Sequence, residues 1–101
     1  MDGASTAGFA SEARVAIAKS ARYMTHLCKH FGHRVAATQT AGRGRIEFAT
    51  GVCLLEAQDG TLLLRIEAAE EPALTQLEQV VARHLERFAF RDKPKIGWTR
   101  P

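Results

Sequence analysis

Apolar residues recur along this chain with two different periods, and the points where the period changes predict its elements. From Glu12 to Ala18 they alternate, with Val15 and Ile17 on one side, which predicts a first strand. Over Ser20–Gly32 the spacing lengthens. At about 100° per residue, Met24, Leu27, Cys28 and Phe31 fall in one arc, with Tyr23 at its edge. His26 and His30, flanked by Arg22 and Lys29, fall on nearly the opposite side. This predicts an amphipathic helix that shows imidazoles and cations to water, capped by Ser20 and ended by Gly32 in the left-handed conformation. His33 lies past its end.

Val35–Thr40 predicts a further strand, and Ala41-Gly42-Arg43-Gly44 a turn. Alternation returns over Arg45–Ala49, where Ile46 and Phe48 share a face, and continues over Val52–Ala57. Asp59-Gly60 marks a hairpin, because that pair tolerates the positive φ of a primed turn. Thr61–Ala68 then sets Leu62, Leu64 and Ile66 on one face and Leu63, Arg65 and Glu67 on the other. A second helix opens at Glu70-Glu71-Pro72, where proline and acids suit a first turn. Leu74, Leu77, Val81, Leu85 and Phe88 form its apolar stripe, and His84 flanks it, half-buried. Lys95–Thr99 predicts a short last strand, with Ile96 and Trp98 facing the same way. With Val35–Thr40, polar at its end, kept as a candidate outside the count, the order β-α-β-β-β-α-β implies an α+β two-layer sandwich: a mainly antiparallel sheet with both helices on one face.

Composition narrows the class. With 101 residues, 46% hydrophobic and 25% charged, the chain fits one globular domain over 11–101 behind a disordered tail at 1–10. Met1–Arg14 has no basic segment leading into an apolar core, and no apolar run approaches the ~18–20 residues that cross a bilayer. Two cysteines, Cys28 and Cys53, are too few for a disulfide scaffold and read as reduced thiols filling a core. A cytoplasmic protein without membrane contact is the expectation. Net charge is +3, but unevenly spread: seven basic residues and no acid lie between Ala13 and Ile46, and seven acids against Arg65 alone between Glu47 and Val81.

Chemistry-bearing residues are few. His26 and His30, at i and i+4, have the spacing to hold a metal ion from one helical face, although two imidazoles make an incomplete site. The bland alternative is a pair of solvated histidines. Gly42-Arg43-Gly44-Arg45 offers Arg43 and Arg45 to an anion, or is simply a hairpin turn with exposed arginines. Nucleic acid is disfavoured, since Tyr23 and Phe31 are committed to the core and leave few rings to stack bases. No nucleophile elbow, HExxH or dinucleotide fingerprint is present, so no catalytic residue is assigned and an enzyme is not expected.

Three stretches, LCKHFGHR (27–34), GRIEFATGVCLLEA (44–57) and HLERFAFRD (84–92), together with Trp98, resemble the small bacterial family called domain of unknown function 2218. The family has no assigned activity and no established functional residues. Its association with flavin-dependent siderophore-interacting proteins implies iron handling, and such a redox protein as a partner. His30, His33 and His84 lie inside the resembling stretches and join the candidate ligand residues. The leading expectation is a non-enzymatic binding or accessory module with a metal ion as its candidate cofactor. The alternative is a structural or interaction module that forms a homodimer or recruits a partner, and a small enzyme ranks third.

Overall fold

Segments with period two line up side by side in a computed structural model that describes Gly8 to Pro101. They are β1 (Phe9–Ala16), β2 (Ala36–Thr40), β3 (Arg43–Phe48), β4 (Gly51–Gln58) and β5 (Thr61–Ala68). The sheet order is β1-β5-β4-β3-β2, antiparallel at every pairing. Helices α1 (Ser20–Phe31) and α2 (Glu71–Phe88) lie against it. The α+β two-layer architecture is the one that the periodicities predict.

Register explains why one face is dry. The row Ala37–Ile46–Cys53–Ile66–Ser11 crosses all five strands, and Gly44–Leu55–Leu64–Ala13 runs beside it. Ile46, Cys53, Leu64, Ile66 and Ala13 in these rows are buried, as are Met24, Leu27, Cys28 and Phe31 of α1 and Leu74, Leu77, Val81 and Leu85 of α2. Because strand side chains alternate, the intervening positions make the other, uncovered face. There Glu12, Arg65, Leu54, Arg45 and Thr38 form a matching row. Gly44 is where α1 comes closest. A Cβ there would stand 2.8 Å from the Cys28 sulfur, so only glycine lets this helix settle.

Several boundaries depart from the expected ones. The first strand begins at Phe9, not Glu12, since Phe9, Ala10 and Ser11 pair with Ala68, Glu67 and Ile66. Residues 9 and 10, expected in a disordered tail, are thus paired in the sheet, and the rest of that expectation, at 1–7, lies outside the described residues. Ser20 is the first helical residue, not the cap. The cap is Lys19, and the Ser20 hydroxyl donates across to the Gln58 carbonyl at 2.5 Å, tying α1 to the end of β4. Gly32 stays right-handed (φ −63°, ψ −13°), because the chain continues in tight turns that return Arg34 and Val35 N–H to the Phe31 carbonyl. Arg43 and Gly44 belong to β3, which leaves Ala41-Gly42 as the turn, with Gly42 at φ 77°. At Asp59-Gly60 only the glycine has positive φ (75°), so the hairpin forms without a primed turn.

The expected last strand is not a strand. After α2 the chain runs extended, and only Thr99 bridges to Glu12, through two backbone hydrogen bonds of 2.8 Å. Arg100 clamps this segment to α2, its guanidinium reaching Glu71 (2.9 Å), Thr75 (2.9 Å) and the buried Glu78 (3.3 Å).

Candidate functional site

Where the ends of α1 and α2 converge, aromatic and imidazole rings gather above the sheet. Phe31, on the apolar arc of α1, meets Phe48 of β3 edge-on at 5.0 Å between centroids. His84 of α2 packs on Phe31 at 4.7 Å and on His30 at 4.7 Å. Phe88, one turn beyond His84, stacks flat on His26 at 3.8 Å and 8°, and meets the edge of His30 at 5.4 Å. The imidazole flank of α1 is therefore not turned to open water on every side. Its rings are exposed, yet they border α2, because two helices laid on one sheet leave a shallow seam between them.

Protonation follows from this crowding. His84 is half-buried, and its Nδ1 lies 2.7 Å from the Val80 carbonyl, one turn earlier in α2. A carbonyl only accepts, so Nδ1 carries a proton and donates, and Nε2 is the ring nitrogen left for another partner. His30 is held below the ordinary imidazole range, first by its partial removal from water and then by the neighbouring charges of His84, His26, His33 and Arg34. Near neutral pH His30 thus offers uncharged imidazole, the form that binds metal ions.

The other candidates lie elsewhere. His33 borders a depression of about 350 Å³ with Cys28, Lys29, Gly32, Ala37 and Gln39, on the β2 side of α1. Arg43 and Arg45 project from the uncovered face of the sheet, and Arg45 is engaged by Glu47 at 3.2 Å. The structure brings His30 and His84 together, places His26 beside them through Phe88, and leaves His33, Arg43 and Arg45 outside. Among the described residues, no three His, Cys, Asp or Glu side chains come together as a metal-holding group. Phe88 and Phe48, which sequence reasoning placed only in core stripes, form the walls of the seam. Helical angles could not reveal this, because they relate residues within one helix and not across two.

Both thiols are buried and free. Burial pushes Cys28 up, and pushes Cys53, beneath the sheet rows, up to about 12. Neither is a nucleophile at neutral pH.

The three stretches singled out in the sequence meet at this end of the fold: His30 and Phe31 from the first, Phe48 from the second, His84 and Phe88 from the third. A family model described as an uncharacterized protein conserved in bacteria, DUF2218, matches residues 12–99. Among solved structures, the NMR structure of PA4090 from Pseudomonas aeruginosa is similar, with a TM-score of 0.78 and 35% identity over 90% of this chain and 95% of that one. No curated protein matches. With most of β1, the four later strands, both helices and the ring cluster inside the matched span, the chain belongs to the DUF2218 family of uncharacterized bacterial proteins.

Proposed function

We propose that the protein is a non-enzymatic binding module whose ligand-taking end is the seam between α1 and α2. There His30 and His84 take a divalent transition-metal ion that still carries ligands of its own. The observation that carries this reading is the His30–His84 contact, 4.7 Å between ring centroids, contributed by two different helices. Imidazole suits iron, nickel, copper and zinc. A ring nitrogen that donates to a backbone carbonyl, as His84 Nδ1 does, is the usual support of a metal-ligating histidine. Two side chains cannot complete a four- or six-coordinate shell, so a chelated ion fits better than a bare one. Phe31, Phe48 and Phe88 supply apolar walls against which an organic chelator can lie. Iron handling, the context that the family resemblance implies, agrees with an iron chelate as cargo, and two unoxidised thiols agree with the cytoplasmic setting expected from the sequence.

Nickel nitrilotriacetate, which leaves two neighbouring coordination positions open, is the direct probe. Calorimetric titration should give a dissociation constant below ~0.1 mM, about −5.5 kcal/mol. His30→Ala and His84→Ala should each weaken it at least tenfold, about 1.4 kcal/mol, and His33→Ala should not. Binding weaker than about 1 mM, or indifference to both substitutions, rejects the reading.

A further inference from the structure

The two edges of the sheet are finished differently. The outer edge of β1 is occupied at Glu12 by the Thr99 bridge, and Arg100 holds the bridging segment in place. Nothing among the described residues pairs with the outer edge of β2. Its sequence, Ala36-Ala37-Thr38-Gln39-Thr40, has none of the usual protections of a free edge: no lysine, no proline and no inward charge. Thr40 and Arg43 flank a two-residue turn and so form a hydrogen-bonded pair. By alternation, Thr38 and Ala36 also bond inward, and Ala37 and Gln39 turn their N–H and C=O groups outward.

Charge decides what that row can accept. On the β2 side of α1 stands Lys29, with His33 just past the helix end, and Thr25 one turn earlier donates to the Gln39 side chain at 3.1 Å. A depression of about 350 Å³ bordered by Lys29 and His33 lies on this side of β2. Another of about 130 Å³, bordered by Arg43 and Arg45, lies on the opposite side. A strand added to β2 would send alternate side chains into these two depressions, and both are basic. From Ser20 to Ile46 the chain holds Arg22, Lys29, Arg34, Arg43 and Arg45 and no acid. Folding keeps that block together, since α1, β2 and β3 are neighbours at this edge; Glu47, bonded to Arg45, and Glu56, opposite Arg43 on β4, are acids at its margin.

We propose that the β2 edge is a docking site for an extended acidic segment of a partner protein, which pairs with Ala37 and Gln39 as a sixth strand. Main-chain hydrogen bonds hold such a segment, and its alternate carboxylates meet Lys29 and His33 on one side and Arg43 on the other. A second copy of this chain is disfavoured, because it would bring two basic α1 flanks together. Single-stranded nucleic acid is disfavoured too: phenylalanine, tyrosine and tryptophan are absent from the residues bordering either depression, and a single imidazole, His33, is the one ring there for base stacking. This site is separate from the imidazole seam and stands or falls independently of it.

The test is NMR titration of the full chain with a blocked octapeptide of two Glu-Glu-Val-Val repeats, which when extended sets glutamates on both faces. The expected result is movement of the Ala37 and Gln39 amide signals, with at least tenfold slower exchange of both protons. Gln39→Pro removes an outward donor while sparing the β2–β3 ladder, and should weaken binding at least tenfold. Lys29→Glu with Arg43→Glu should abolish it. Equal binding of a lysine–valine octapeptide overturns the proposal. So does tighter binding of an eight-residue oligothymidylate at this edge, self-association of the chain through β2, or indifference to Gln39→Pro.

Discussion

Cys53 is fully enclosed, with the Cys28 thiol as a neighbour that raises its pKa further. Its thiol ionises at about 12 in the folded chain against an ordinary value of 9.0. Between those limits the unfolded chain has lost a proton that the native one keeps. Stability on this account is fully present below pH 9.0 and is lost as pH rises towards about 12. Cys53→Ala should therefore lower stability near neutrality, through the atoms it removes, yet flatten the alkaline decline. Urea unfolding across that range checks the slope, and an unchanged slope would refute the burial argument. Sequence reading anticipated both thiols as core filling, because Cys28 shares its helical arc with Leu27 and Phe31. It also placed His84 at the margin of burial, where the structure has it. It did not foresee Phe88 leaving the core stripe to stack on His26, since a ring at a helix end is free to choose a neighbour on another element.

At the scale of elements, the amphipathic faces of α1 and α2 carry the architecture. Leu27 is 0% exposed while His26 faces outward, as the angular count requires. What periodicity does not encode is how closely a helix approaches the sheet, and that depends on Gly44. Gly44→Ala should force the Cys28 sulfur aside and destabilise by about 1–3 kcal/mol, as overpacked cores do. The companion Cys28→Ala should recover part of that loss, because the obstructing atom is then absent. Thermal unfolding of the two single variants and the double variant measures the coupling. Strand ends were less legible than strand centres for the same reason. Phe9–Ser11 joins β1 because β5 is long enough to pair with it, a property of the partner and not of the segment.

Over the whole molecule, the chain segment after α2 does the work that a sixth strand was expected to do. Ile96 and Trp98 pack against the core from an extended run, but only Thr99 joins the ladder. Its hold depends on Arg100, whose guanidinium satisfies the carboxylate of Glu78, a buried acid on the inner side of α2. Arg100→Ala should lower the melting temperature and speed amide exchange at Glu12 and Thr99, while Glu78→Gln in the same chain restores part of the loss. Exchange rates measured residue by residue distinguish release of this segment from general loosening, which would accelerate the β4–β5 amides as well.

The Thr99 bridge has one more consequence. Runaway fibre growth by lateral strand addition needs two sticky margins per subunit, one to receive and one to pass on. With the β1 margin obstructed at Glu12 by its own chain, the β2 margin is the one left open along its length among the described residues. Whatever it recruits there, the stack stops after a single addition.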